Sequence, residues 1–142
     1  MNEEIFKNWL KKPTDCLIMG IVNTTPDSFS DGGKFNTPTK AIDFAYDLLD
    51  QGADIIDIGG ESSRPGADPV LAAEEIKRIA PLLNELVKNT DRLISVDTYK
   101  SSTAAYALDN GAHLINDISG LSHDNDMVNV ISSYNAPVII MH

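Results

Sequence analysis

"DQGADIIDIGGESSRPGA", residues 50 to 67, carries three structural instructions in one short span. Gly52 stops a helix whose apolar face is Ile42, Ala45 and Leu49. Asp54–Ile58 then reads as a strand buried on both faces, because it is a nearly continuous isoleucine run rather than an alternation. Gly59-Gly60-Glu61 follows, opening a loop of small and hydroxyl side chains with one guanidinium. Helix end, buried strand and polar loop make one joint of an α/β sheet, and the same joint recurs along the chain.

Further strands are expected at Leu17–Val22, Leu93–Val96, His113–Ile115 and Pro137–Met141, all short, apolar and rich in Ile and Val. Helical periodicity fills the gaps. Ala41–Asp50 follows Thr37-Pro38, a cap and first-turn pair. Ala72–Lys88 places Ile76, Ile79, Leu83, Leu86 and Val87 on one stripe, with Glu74 and Glu75 early, where the helix dipole favours them. Pro81 falls inside that stripe and predicts a kink or a restart. Ser101–Asn110 is Ala-rich and ends at Gly111, and Asp124–Tyr134 is a weaker helix. Strictly alternating strands and helices imply parallel strands with right-handed crossovers. An open doubly wound sheet and a (β/α)8 barrel both fit. No G-x-G-x-x-G follows the first strand, which weakens the dinucleotide-binding version.

The chain has 142 residues, enough for one core, so residues 1–142 are read as a single domain. Its formal net charge of −10 argues against nucleic acid, which needs clustered Lys and Arg. No apolar run is long enough to span a bilayer, so no membrane association is expected. The single cysteine, Cys16, and an acidic N-terminus without a signal-peptide pattern point to the cytoplasm. With this charge, any anionic ligand needs local help from a helix N-terminus, an arginine or a divalent cation.

Each strand meets a polar side chain at its C-terminal end: Asn23, Asp57 with Gly59-Gly60-Glu61, Asp97, Asn116-Asp117 and His142. Parallel α/β folds build their sites at that end. Turn formation and capping are the competing reading for any one of these residues; five in a row favour a shared site. Asp97 accepts two adjacent N–H bonds and Asn116 offers a donor and an acceptor, which suits a flat heterocycle with a lactam and an exocyclic amine. Asp97 could equally cap the helix that starts near Ser101. The Gly59–Gly66 loop, with Ser62, Ser63 and Arg64, suits an anion, or is a surface loop in which Arg64 pairs with Glu61. In "MGIVNTTPDSFSDGG", residues 19 to 33, Asn23 offers a neutral oxygen ligand for Mg²⁺ already carried by a polyphosphate. Thr24, Thr25, Ser28 and Ser30 are donors, Gly32 and Gly33 give hinge freedom, and Phe29 is either a water shield or a loop anchor. The three histidines, His113, His123 and His142, read as structural.

Those two segments resemble the signature segments of dihydropteroate synthase. "ISVDTYK" and "GAHLINDISG" are similar to the third- and fourth-strand segments of the same family, in order and at comparable spacing. The resemblance covers Leu17 to His142. It implies an α/β fold of the (β/α)8 TIM-barrel type, of which this chain covers about the first four βα units plus the fifth strand. The activity implied is a folate-pathway transferase and sulfonamide target, joining 6-hydroxymethyl-7,8-dihydropterin diphosphate to 4-aminobenzoate with release of diphosphate. Mg²⁺ is the implied cofactor and a homodimer the implied state of the whole protein. The resemblance places Asn23 at the Mg²⁺–diphosphate site and Asp97 and Asn116 in the pterin pocket, with Asp57 beneath. It closes the Thr24–Gly33 loop and the loop carrying Ser62, Ser63 and Arg64 over the aminobenzoate site, with Asn23, Ser63 and Arg64 as the catalytic residues and Phe29 and Pro65 as apolar walls. Ser63 stands where the family usually has threonine, and Thr24 where it often has valine. Family barrels continue for three more strands, which supply another pterin-binding Asp, a Lys and an Arg/His pair. The domain is therefore expected to be incomplete at its C-terminus and inactive alone. A second class, the pterin-binding domain of a corrinoid-dependent methyltransferase, shares the barrel and the Asp/Asn pocket. It has no use for the Asn23 loop or the Ser-Ser-Arg loop.

Overall fold

A computed structural model describes residues 3–13, 15–25, 37–62 and 66–141. Along the chain run α1 (Glu3–Lys11), β1 (Met19–Asn23), α2 (Thr37–Asp50), β2 (Ile55–Gly59) and α3 (Ala72–Asn89). They are followed by β3 (Leu93–Asp97), α4 (Ser101–Asp109), β4 (Leu114–Asp117), α5 (Met127–Tyr134) and β5 (Val138–Ile140). The strands form one sheet in the order β1-β2-β3-β4-β5, and every neighbouring pair is parallel. A doubly wound sheet reverses its strand order at a switch point and carries helices on both faces. Here the order never reverses and α2 to α5 all pack on one face, which is the winding of a (β/α)8 barrel.

That face is the main core. Val22, Ile56, Ile58, Ile94, Val96 and Ile115 point from the strands into a layer of Ala45, Ile79, Leu83, Ala107 and Met127, all closed to solvent. Each buried Ile contributes about 1.5–3 kcal/mol. The alanines let α2 and α4 lie close to the sheet.

The opposite, inner face has its own floor. Ile55, Leu93 and Leu114 pack with Phe6 of α1, and Trp9, Leu17 and Met19 close around them. The Phe6 and Trp9 rings stack at 5.9 Å. Helix α1 was not among the expected elements, although Phe6 and Trp9 at i,i+3 spacing are a signal for it. It covers the N-terminal ends of the strands and leaves their C-terminal ends open.

Three helices stop in the same way. Ala53, Ala112 and Ala136 donate their N–H to the carbonyls of Leu48, Ala107 and Ile131, at 3.0, 2.9 and 3.1 Å. The residue before each, Gly52, Gly111 and Asn135, is left-handed. This is the Schellman arrangement, and it delivers the chain directly into the next strand. The two glycines are legible in the sequence as helix ends.

Pro81 neither breaks nor restarts α3, which runs unbroken from Ala72 to Asn89. Pro81 lies on the exposed face, so the donor it lacks is missing where water reaches the Lys77 carbonyl. The strands also end later than their apolar runs. Asn23, Gly59, Asp97, Asn116 and Asp117 are ladder residues rather than turn residues.

Candidate ligand site at the strand ends

Register fixes the site. Asn23 pairs with Gly59, Gly59 with Asp97, and Asp97 with Asn116, so four strands contribute one row across the inner face. Residues in one row of a parallel sheet point to the same side, with about 4.8 Å between strands. One row further in, Ile21 pairs with Asp57 and Asp57 with Ser95. The polar groups therefore sit directly above the α1-sealed floor.

Gly59 leaves the gap in this row. A Cβ added there would lie 2.8 Å from Asn23 Oδ1 and 3.8 Å from Asp97 Oδ2. Asn116 Nδ2 donates to Asp57 Oδ2 at 3.0 Å. The sequence-predicted Asn23, Asp57, Asp97 and Asn116 thus form one cluster. Ser63, Arg64, Pro65 and Phe29, with the expected hinge Gly32 and Gly33, lie outside the described residues. So does His142.

Asp97 is not a helix cap. The α4 N-terminus is met by Asp124, whose Oδ2 accepts from the Ser101 N–H at 2.8 Å. Among the described residues no donor is committed to the Asp97 carboxylate. Burial pushes its pKa up, and the carboxylates of Asp57, Glu75, Asp117 and Glu61 push it further, to about 7. Burial also raises Asp57, against the influence of Ser95 and Asn116, which favour its charged form. Asp57 Oδ1 and Ser95 Oγ are both buried without a partner at normal hydrogen-bond geometry among the described residues. Unsatisfied polar atoms at a strand-end pocket are the mark of a group waiting for a ligand or a water.

Two residues expected at the site serve the scaffold instead. Thr24 sends both its N–H and its hydroxyl to the Gly59 carbonyl, at 2.7 and 3.1 Å, which holds Asn23 at the end of the ladder. Asp117 faces the helix side and accepts from the Ser119 and Leu121 N–H groups at 2.7 and 3.1 Å, building the turn after β4. His113 is structural as read: its Nδ1 accepts from the Ile94 N–H at 3.1 Å.

Behind the row lies a buried ionic network that the sequence reading missed. Glu75 is 1 % exposed. Its Oε2 accepts from the hydroxyls of Thr98 at 3.2 Å and Thr103 at 2.7 Å, and pairs with Lys100 Nζ at 3.2 Å. Lys100 also pairs with Glu61, which accepts from the Tyr99 hydroxyl as well. Burial works against charge on both Glu61 and Lys100. Their bonds win, holding Glu61 below the usual carboxylate range and Lys100 above its own. Glu75 keeps its early place in α3, where the dipole favours it, and is also buried. The available signal was its place four residues before Ile79, on the apolar stripe. Gly60 has no spare room against this network: a Cβ there would sit 2.9 Å from the Glu75 carbonyl.

Among the described residues no group of three or more His, Cys, Asp or Glu side chains could hold a metal ion. Asn23 Oδ1, exposed beside the Gly59 gap, still fits Mg²⁺ that brings most of its own ligands. Replacing Gly59 with Ala is expected to displace the Asn23 carboxamide. Thermal stability should be nearly unchanged, because the neighbour that must yield is a side chain, and a melting temperature several degrees below wild type in Gly59→Ala would show that the backbone yields instead.

Comparison with known proteins gives a consistent set of relatives. A family model described as "pterin binding enzyme" matches residues 19–142. A dihydropteroate synthase of Clostridium beijerinckii is 50% identical over 125 residues, covering 88% of this chain and 46% of the relative. A solved dihydropteroate synthase from Clostridium difficile, crystallised in the presence of pteroic acid, superposes with a TM-score of 0.85 at 52% identity. The match covers 89% of this chain and 48% of that one. The Xanthomonas albilineans dihydropteroate synthase with 4-aminobenzoic acid gives a TM-score of 0.84 at 43% identity, covering 89% and 46%. The chain spans about half the length of the curated relatives it matches.

Proposed function

This chain belongs to the pterin-binding enzyme family, and from that premise we propose that it serves a dihydropteroate synthase reaction, condensing 6-hydroxymethyl-7,8-dihydropterin diphosphate with 4-aminobenzoate. The observation that carries the proposal is the row Asn23–Gly59–Asp97–Asn116, in which a carboxylate without a partner among the described residues stands beside a carboxamide at the open end of the sheet.

In this reading Asp97 and Asn116 grip the N–H edge of the dihydropterin, with Asp57 behind them. Asp97, raised to about 7 in a ring of other carboxylates, is the group that gains most from an N–H-rich ligand. The same acidic surroundings make the diphosphate the harder end to bind. Lys100 is already shared by two glutamates, so charge relief must come from elsewhere. Asn23 Oδ1 would help to hold Mg²⁺, which would supply positive charge to offset that of the departing diphosphate. Ser63 and Arg64 are proposed to add donors there, and Phe29 and Pro65 to wall the aminobenzoate. The C–O bond to the diphosphate breaks, and its electron pair leaves with the diphosphate. The exocyclic carbon left behind is cationic and conjugated with the ring, which Asp97 stabilises electrostatically. The aniline nitrogen forms the new C–N bond and loses its proton. An aniline is a weak base, so water suffices to take that proton. By the same resemblance the whole protein is proposed to be a cytoplasmic homodimer.

Calorimetric titration of the whole protein with the pterin diphosphate, with and without Mg²⁺, tests the proposal. Binding is expected to tighten at least about 10-fold with the metal, since the site itself is anionic. Metal-independent binding of methyl-tetrahydrofolate, with none of the diphosphate, would favour the corrinoid methyltransferase class instead.

A further inference from the structure

A carboxamide has no intrinsic orientation in a pocket, because its oxygen and nitrogen are nearly isosteric and only its partners choose between them. For Asn116 one partner is fixed. Nδ2 lies 3.0 Å from Asp57 Oδ2, and Asp57 is 2 % exposed, so water does not compete for that bond. An ionised carboxylate accepts and never donates. The second oxygen of Asp57 lies beside Ser95 on the same row, and both Oδ1 and Ser95 Oγ lack a partner at normal geometry. Nothing among the described residues asks Asp57 to act as a donor. The backbone is pinned as well: the Thr98 N–H donates to the Asn116 carbonyl at 3.0 Å, locking β3 to β4 at the row. The Asn116 side chain therefore has its amine end held inward and its Oδ1 left as an acceptor.

We propose that Asp57 is a positioning residue that fixes the Asn116 carboxamide with Oδ1 toward the ligand, so that Asn116 and Asp97 select rings presenting a row of N–H donors. The inference rests on the pterin reading given above and adds its specificity. A 2-amino-4-oxo ring offers ring and exocyclic N–H groups along one edge. Its 2-oxo analogue places a carbonyl there, facing two acceptors.

The test compares the whole protein with its Asp57→Asn variant and with the double variant Asp57→Asn/Asn116→Asp. Each is titrated with 6-hydroxymethyl-7,8-dihydropterin diphosphate and with the 2-oxo analogue. Asp57→Asn is expected to weaken the amino ligand about 10- to 100-fold and to narrow the preference over the 2-oxo ring, because Asn116 can then turn its amine outward. Adding Asn116→Asp is expected to restore affinity about 10-fold, since a carboxylate there shows an acceptor in either orientation. A merely structural role for Asp57 would weaken both ligands alike in the single variant, whereas positioning of Asn116 requires the preference for the amino ring itself to narrow. Single-variant affinity within about 3-fold of wild type, or a double variant no tighter than the single, overturns the inference. Wild-type protein that binds neither ligand sinks the synthase reading instead, and that result is read before any variant. Should Asp57→Asn fail to fold, the Asn116 NH2 resonance of the wild-type protein decides, assigned by its loss in Asn116→Asp. One proton protected from exchange is expected, and both exchanging as a free amide overturns the proposal.

Discussion

Asp97→Asn is expected to lower affinity for the dihydropterin diphosphate at least about 100-fold and, in the same protein, to raise stability above pH 7. The first effect follows from exchanging a double acceptor for a group with one donor end, which leaves a buried ligand N–H unpaired. The second follows from linkage. The folded pKa of Asp97 is about 7 against a reference of 3.8, so the native state holds this proton more tightly than the unfolded chain. Its stabilising contribution is present in full below about pH 4 and is lost as pH rises toward 7. An asparagine cannot ionise, so the variant escapes that loss. The gain should be about 2 kcal/mol at pH 8, allowing for the partly open position, and close to zero at pH 4. Chemical denaturation at the two pH values, alongside calorimetry, measures both. Equal ligand affinity would remove Asp97 from the pocket, and a stability gain independent of pH would show that its charge is not strained in the native state.

Glu75→Ala carries the largest expected effect on stability, a loss of about 3–5 kcal/mol. One carboxylate oxygen serves Thr98, Thr103 and Lys100, tying α3 to the β3 end and to α4. Truncation leaves two hydroxyls without their acceptor and Lys100 with Glu61 as its remaining carboxylate. Glu75→Gln should cost less, because the amide oxygen still accepts from the threonines. It should also lower the Asp97 pKa, since the Glu75 charge is among those that raise it. The pH midpoint of ligand binding in Glu75→Gln would then move downward from about 7. Denaturation of Glu75→Ala within 0.5 kcal/mol of wild type, a margin about the size of an ordinary surface change, would show that the network is ornamental.

The network also explains why a helix residue matters to a strand-end site. Glu61 follows Gly60 directly, and its bonds to Lys100 and Tyr99 tie the loop after β2 to the loop after β3. Arg78 adds a bond to the Gly60 carbonyl at 3.1 Å. Residues 60–61 after β2 and 99–100 after β3 are thereby tied together beside Asp97.

The alternation of strands and helices, two of the three helix stops at Gly52 and Gly111, and the polar residues at the ends of the first four strands are legible in the residues alone. Those features are local: apolar periodicity, a glycine able to take positive φ, and a carboxylate or amide directly after an isoleucine run. Only the tertiary structure decided the rest. Whether Asp97 capped a helix or stayed in the row at the strand ends depended on Asp124, which is close in space and far in sequence, taking the cap. Whether Asn23, Asp97 and Asn116 met depended on register, which pairs residues dozens of positions apart. The sequence placed Glu75 in the first turn of its helix but not among its partners, because periodicity gives a residue its face and nothing more. The partners came from α4 and the β3 end, and the energy of a buried charge is set by them alone.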